Sequence, residues 1–325
     1  MLAIFGYSTR LNSPRLTGNE QEPVLKMKLG VALPVIDAEV GGDPGAIRDF
    51  AQAAEEIGYC DLSAPDHVLG VNSASRPGWD RNTSADLFQD PFVLFGFLAG
   101  CTRAIGFSTQ VLILAQRQAV LVAKQAACLD VLCGGRFRLG IGVGWNEVEF
   151  VGLNESFRDR GRRSEEQVAV MKALWAEPHV TFKGKYHAIE DAGINPLPPR
   201  RSIPIWLGGH ADATLRRVAS WGDGWMPLSY GPGDEAKAAI DKMRAYAEAA
   251  GRDPADIGID TRVTVGIGDE AAWRDTVRFW KSCGVTDLTL GTYSGRGHLR
   301  RIEGRSLSAH LAAIQRYWNA VADLL

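Results

Sequence analysis

Eight short β-type runs alternate with helical patterns along this 325-residue chain, and no shift in composition marks a linker between them. The runs fall at residues 28–34, 59–64, 105–111, 137–143, 203–207, 223–227, 257–265 and 286–291. Strands joined through helices pair in parallel, with the helices packed outside the sheet. Eight such units in succession favour a closed (β/α)8 barrel over an open doubly wound sheet, an α/β fold whose chemistry sits at the C-terminal ends of its strands. A barrel of this size folds as one domain. Residues 27–325 therefore read as that domain and residues 1–26 as a loose N-terminal extension, with Met27 a candidate start.

Local signals punctuate the helices. Ile47, Phe50, Ala54 and Ile57 in the first, and Leu307, Leu311, Ile314, Trp318 and Val321 in the last, recur at the spacing of one buried face. Asp43-Pro44 supplies a cap and a first-turn proline, Gly58 a stop, and Ser164 with Gln167 resembles a capping box. Two connections exceed the usual length, 67–90 and 178–202, and the second contains VTFKGKYHAI, a hairpin pattern around Lys183-Gly184-Lys185. Long loops in compact domains are commonly functional, so both are expected to wall a substrate site.

Charge and motif content narrow the function. The 36 basic and 38 acidic residues leave no electrostatic footprint for nucleic acid or a membrane surface. No stretch approaches the roughly 18 apolar residues of a membrane span, so the expected partner is a small molecule. Five cysteines, odd in number and without C-x-x-C spacing, fit reduced thiols in a cytoplasm. The scattered histidines lack metal-site spacing, and neither a G-x-S-x-G elbow, a G-x-G-x-x-G fingerprint nor a Walker A sequence occurs. Lys124, Lys172 and Lys281 fall in helices and Lys183 and Lys185 in the hairpin, which disfavours a Schiff-base aldolase.

The candidate site residues cluster at strand ends. In RFRLGIGVGWNEVEF, residues 136–150, Gly140, Gly142 and Gly144 clear side chains where a flat ligand or another backbone comes close. Asp66-His67 follows the second strand: His67 is a proton-transfer candidate, or a cap or surface residue, and Asp66 either orients the imidazole or caps a turn. Ser108, Thr109 and Gln110 interrupt the apolar third strand, as a ligand edge, a bulge or hydroxyls bonded to nearby backbone. Gly208-Gly209-His210 precedes a helix starting near Asp212, either a phosphate-binding turn or a plain βα connection. Trp145, Trp206 and Trp225 stand near strand ends, as core or as one wall around a planar ring.

Taken in order, LGVALP, APDHV, STQVLIL, AKQAACLDVLCGGRFRLGIGVGWNEVEF, RGRRSEEQVAVMKALW, VTFKGKYHAI, SIPIWLGG and WGDGWMP resemble the bacterial luciferase-like superfamily. The likeness is strongest to its deazaflavin (coenzyme F420)-dependent oxidoreductases. The resemblance implies a ring held at the barrel mouth, with Thr109, Gln110 and Val111 forming a bulge behind it and a cis peptide at Gln110-Val111. It implies His67 at the reactive edge, with Asp66 and Asn146 positioning, and Gly208-Gly209, followed by His210, receiving the phosphate-bearing tail. Arg296, Arg300, Arg301 and Arg305 are placed to meet an acidic tail, or form a solvated basic loop. Trp145 stands where sugar-phosphate dehydrogenases of this kind carry an acidic residue, which points to a more apolar or aromatic substrate. Gln110 stands where relatives often have a smaller residue. The implied activity is hydride transfer between F420 and a small organic substrate by a homodimer. The rivals are an FMN-dependent monooxygenase on the same scaffold and a barrel that binds flavin without turnover.

Overall fold

The computed structural model describes residues 26–325. The expected extension at residues 1–26 thus lies, except for Lys26, outside the described residues. In chain order the strands and α-helices are β1 (Lys28–Ala32), α1 (Ala38–Gly41), α2 (Pro44–Ile57), β2 (Asp61–Ala64), α3 (Pro91–Ala99), β3 (Gly106–Thr109), β4 (Leu112–Ile113), α4 (Ala119–Leu132), β5 (Phe137–Gly142), α5 (Glu147–Gly152) and α6 (Arg160–Ala176). They continue with β6 (Val180–Lys183), β7 (Ala188–Ala192), β8 (Ile205–Gly208), α7 (Asp212–Trp221), β9 (Gly224–Met226), α8 (Asp234–Ala249), β10 (Gly258–Thr264), α9 (Glu270–Ser282), β11 (Asp287–Gly291) and α10 (Leu307–Val321).

The large sheet runs β3-β2-β1-β11-β10-β9-β8-β5, each pair parallel, and β5 pairs back with β3 to close the ring. This is the (β/α)8 barrel that the alternation predicted. Near-continuous apolar strands are needed where one face meets the helices and the other fills the barrel. On the helix side, α2 buries Ile47, Phe50, Ala51 and Ala54. Asp43 accepts from the Gly45 amide at 2.8 Å to cap its start, and Gly58, at φ 115°, ends it in the left-handed region.

Two expectations are corrected. Ser164 does not open a helix: α6 begins at Arg160 with Asp159 at its N-cap, and the Ser164 hydroxyl donates to the Arg160 carbonyl at 2.6 Å. The arginines of RGRR are good helix formers and, despite Gly161, carry the helix one turn further toward the N-terminus than the apparent capping box indicates. Residues 178–202 form the expected antiparallel hairpin, β6 with β7, yet they do not wall the mouth. They join the C-terminus of α6 to the start of β8, at the barrel end opposite the strand C-termini. Their turn is fastened by Glu166, which accepts from the Lys185, Tyr186 and His187 amides at 2.7 Å.

The barrel interior is polar at its floor. Arg138 donates to Asp260 at 2.7 Å and Asp287 at 3.1 Å, and lies 3.7 Å from Asp61. Its guanidinium is 4.2 Å above the ring of Trp206. That indole lies across Gly224 and Gly258, where an added Cβ would come within 2.2 and 2.3 Å of it. One guanidinium shared by three carboxylates cannot neutralise them all, and burial pushes the Asp260 carboxyl up to about 6.

Candidate active site

The glycines of β5 and β8 accommodate a distortion in β3. A Cβ on Gly140 would stand 2.0 Å from the Thr109 carbonyl oxygen, and one on Gly142 or Gly208 would stand 2.6 or 2.7 Å from Val111. They therefore admit protein atoms, which settles that choice against a flat ligand at these Cβ positions. The chain turns there through a cis peptide between Gln110 and Val111, then resumes as β4 beside β5. Thr109 is not a free ligand edge: its hydroxyl donates to the Gly140 carbonyl at 2.6 Å. The Gln110 amide reaches inside the barrel, donating to Asp260 at 2.9 Å and Thr289 at 2.8 Å. Val111 is half-buried over the two glycines.

His67 follows β2, with Nδ1 3.2 Å from Oε2 of Glu149 on α5. The other Glu149 oxygen accepts from the Val68 amide at 2.8 Å and the Leu69 amide at 3.3 Å. Burial would raise this carboxyl's pKa. The hydrogen bond and charge of His67, with the two amides, outweigh burial and hold it below its ordinary value. Sequence reasoning missed Glu149. Its signal was the N-x-x-E spacing from Asn146, a capping-box pattern whose acid here turns outward to the histidine loop.

Asp66 does not orient His67. Its oxygens accept from the Ile113 amide at 3.0 Å and from Arg117 at 2.7 Å, while Arg117 also reaches Asp90 at 3.0 Å. Neighbouring side chains in extended backbone point to opposite sides, so Asp66 faces β4 and His67 the mouth. Asn146 caps α5, accepting from the Val148 amide at 3.2 Å; it is buried, and its Nδ2 has no partner among the described residues.

These elements frame a cleft of about 350 Å³ lined by His67, Phe88, Trp145, Arg262, Tyr293 and Arg296 among others. The 67–90 connection walls one side, as expected. Trp145 is 40% exposed, unusual for so large an apolar ring, and stacks on Trp79 at 5.8 Å with Arg81 3.9 Å over its other neighbourhood. His67 meets the edges of Phe88 at 4.7 Å and Trp145 at 6.1 Å. Trp206 and Trp225 are not part of this wall: Trp206 belongs to the floor, and Trp225 is buried, donating to the Gly209 carbonyl at 2.8 Å. Of the four loop arginines, Arg296 alone lines the cleft, donating to the Asp80 carbonyl at 2.8 Å. Arg301 is engaged by Asp37 at 2.7 Å, Arg300 binds carbonyls of its own loop, and Arg305 is exposed.

Beyond β8, Gly209 adopts φ 125° and His210 is exposed. α7 then starts at Asp212 without a side-chain cap. Its first amides and the positive end of its dipole suit an anion.

The profile of the luciferase-like monooxygenase family matches residues 27–324. The chain belongs to the luciferase-like monooxygenase family. An uncharacterised protein from Mycobacterium tuberculosis is 33% identical over 261 residues, covering 76% of this chain and 86% of its own. The F420-dependent glucose-6-phosphate dehydrogenase of Kineococcus radiotolerans is 29% identical over 249 residues, covering 75% and 70%. Among solved structures, an F420-dependent secondary alcohol dehydrogenase in complex with an F420-acetone adduct superposes with a TM-score of 0.72 at 18% identity, covering 91% of this chain and 99% of that one. That likeness shows the fold alone. No helix among the described residues is long and apolar enough to cross a membrane.

Proposed function

We propose that this luciferase-like protein is an F420-dependent oxidoreductase acting on a small organic substrate at the barrel mouth. The observation that carries this reading is the His67–Glu149 pair opening into an aromatic cleft beside the β3 distortion. Relatives named as F420-dependent enzymes favour the deazaflavin over FMN.

The residues present fit such a coenzyme. Asn146 offers an orphaned buried Nδ2 as a donor, Val111 a half-buried apolar platform, and Gly208-Gly209-His210 with the uncapped start of α7 an anion cradle. Thr109 and Gln110 act through their hydrogen bonds by fixing the backbone that presents Val111. When bound, the coenzyme supplies the hydride chemistry. The chain's own part is to hold the substrate, exclude water and move a proton at the His67 ring. Glu149 accepts at Nδ1 and so leaves Nε2 as the proton acceptor.

The test is turnover, followed by deazaflavin absorbance, with a panel of alcohols and carbonyl compounds. His67→Ala is expected to leave coenzyme affinity within about tenfold and to lower turnover roughly 10²–10⁴-fold. Unchanged turnover would remove His67 from the mechanism, and oxygen uptake with reduced FMN in place of F420 would move the chain to the monooxygenases.

Pairing through barrel helices is the accompanying proposal. α3 is apolar on all sides and exposes Val93 (72%), and the adjacent α4 exposes Leu121 and Leu132 (68%). A helix apolar all round belongs in an interior or an interface. Sedimentation should show a dimer that Val93→Glu with Leu132→Glu converts to monomers; a monomeric native chain would refute it.

A further inference from the structure

Among the described residues, Arg262 is a cation of the mouth without a carboxylate partner. It rises from β10 into the cleft, half-buried, and no carboxylate of the described residues lies within ion-pair distance of it. A half-buried guanidinium without an anion is costly, so its neighbours indicate what it awaits. Its hydrogen bonds go to one residue: Nε donates to the Gln110 side-chain oxygen at 3.4 Å and Nη2 to the Gln110 carbonyl at 3.3 Å. Gln110 cannot swing away, because its amide nitrogen is held by Asp260 and Thr289. Of the five guanidinium N–H groups, these bonds use Nε–H and one on Nη2. Both hydrogens on Nη1 and one on Nη2 remain, and together they form the outer fork that receives two oxygens of one planar anion.

The rest of the cleft sets the body that such an anion carries. Its acidic groups are engaged: Asp80 lies 3.6 Å from Arg296, and Asp86 accepts from the Thr83 amide at 2.7 Å. Arg81 also has no carboxylate within ion-pair distance among the described residues and lies against the Trp145 ring. Around these cations stand flat surfaces, Trp145, Phe88, Tyr293 and the His67 ring. A guanidinium fork fits two oxygens of a carboxylate or of a phosphate, and the flat apolar walls favour an acid whose charge sits directly on a planar body.

We propose that Arg262, oriented by Gln110, is the substrate anchor, and that the substrate class is a small planar organic acid whose flat apolar body lies among Trp145, Phe88 and Tyr293. This rests on the reading of the mouth as the substrate site and adds to it the charge and shape of what enters. Gln110 is then a positioning residue, which explains why a long amide stands directly after β3.

The experiment uses the full chain, with and without F420, titrated calorimetrically with benzoate, its neutral analogue benzamide, and inorganic phosphate. Benzoate should bind at least tenfold more tightly than benzamide or phosphate. Arg262→Gln should abolish that preference and leave benzamide affinity unchanged; Arg262→Lys should restore part of it, since a point charge lacks the fork. Equal binding of benzoate and benzamide by the native chain, tighter binding of phosphate, or an undiminished preference in a folded Arg262→Gln protein would each overturn the proposal. The comparison within the native chain stands even if the variants do not fold. Coenzyme fluorescence in the same samples separates the two readings. F420 bound without benzoate preference rejects the anchor alone, and benzoate preference without F420 binding rejects the coenzyme assignment while supporting the anchor.

Discussion

Exchanging Glu149 for glutamine probes how the fold sets the chemistry of His67. In the native arrangement both carboxylate oxygens accept, one from the Val68 and Leu69 amides and the other from the imidazole Nδ1. A carboxylate has no hydrogen to give, so the neutral ring carries its proton on Nδ1 and keeps Nε2 as acceptor. Glutamine preserves volume and leaves one oxygen for the two backbone amides, but it sets an NH2 against Nδ1. The ring must then accept at Nδ1 and protonate Nε2, the wrong tautomer for a base at that atom. The fold loses the charge-assisted part of these hydrogen bonds, about 1–2 kcal/mol. Turnover loses the proton-transfer contribution, roughly 10²–10⁴-fold. Isotope-edited NMR of histidine-labelled protein at mildly alkaline pH reads the tautomer without any substrate. A proton on Nε2 in the native chain, or the same tautomer in both proteins, would show that Glu149 does not set the state of the His67 ring. Because the native carboxyl sits below its ordinary range, the stability that it contributes is present above that range and fades as pH falls through the lowered value.

Two further substitutions test the scaffold under the site. Gly140→Ala drives a Cβ to within 2.0 Å of a backbone carbonyl that cannot move aside, and should cost about 3 kcal/mol in chemical denaturation. The control Gly96→Ala, on α3 with no atom near the added carbon, should stabilise by about 0.5–1 kcal/mol. Equal stability of the two variants would remove the packing explanation for the β5 glycines. Asp260 has its pKa raised from 3.8 to about 6, so the native state holds that proton more tightly than the unfolded chain does. Native stability should therefore fall, relative to Asp260→Asn, as pH rises through the range from about 4 to about 6. A difference that is flat over this window would show that Asp260 is ionised throughout.

The barrel was legible because it repeats: eight alternations leave few topologies, and strand ends tell where polar residues such as His67 must emerge. What one residue means to another across the ring was not. Glu149 lies 82 positions from His67 and reads locally as an ordinary helix-start acid. Asp66 borders the histidine in sequence and turns from it in space, since extended backbone alternates its faces. The glycines of β5 were visible as a need for room, yet only the packing of Thr109 and Val111 shows what fills it. The 178–202 hairpin was assigned to the mouth by length alone, although a connection leading from a helix into a strand returns to the floor. Trp206 and Trp145 look alike as strand-end tryptophans. One caps the floor under Arg138 and the other lines the cleft.

The most direct measurement of the central claim is a paired equilibrium titration of the full chain with oxidised F420 and with FMN at matched ionic strength, since both ligands are anionic. Micromolar or tighter binding of F420 and markedly weaker binding of FMN are expected, with F420 affinity reduced when Gly209→Val blocks the turn ahead of α7. Preferential binding of FMN, or binding of neither, would contradict that claim.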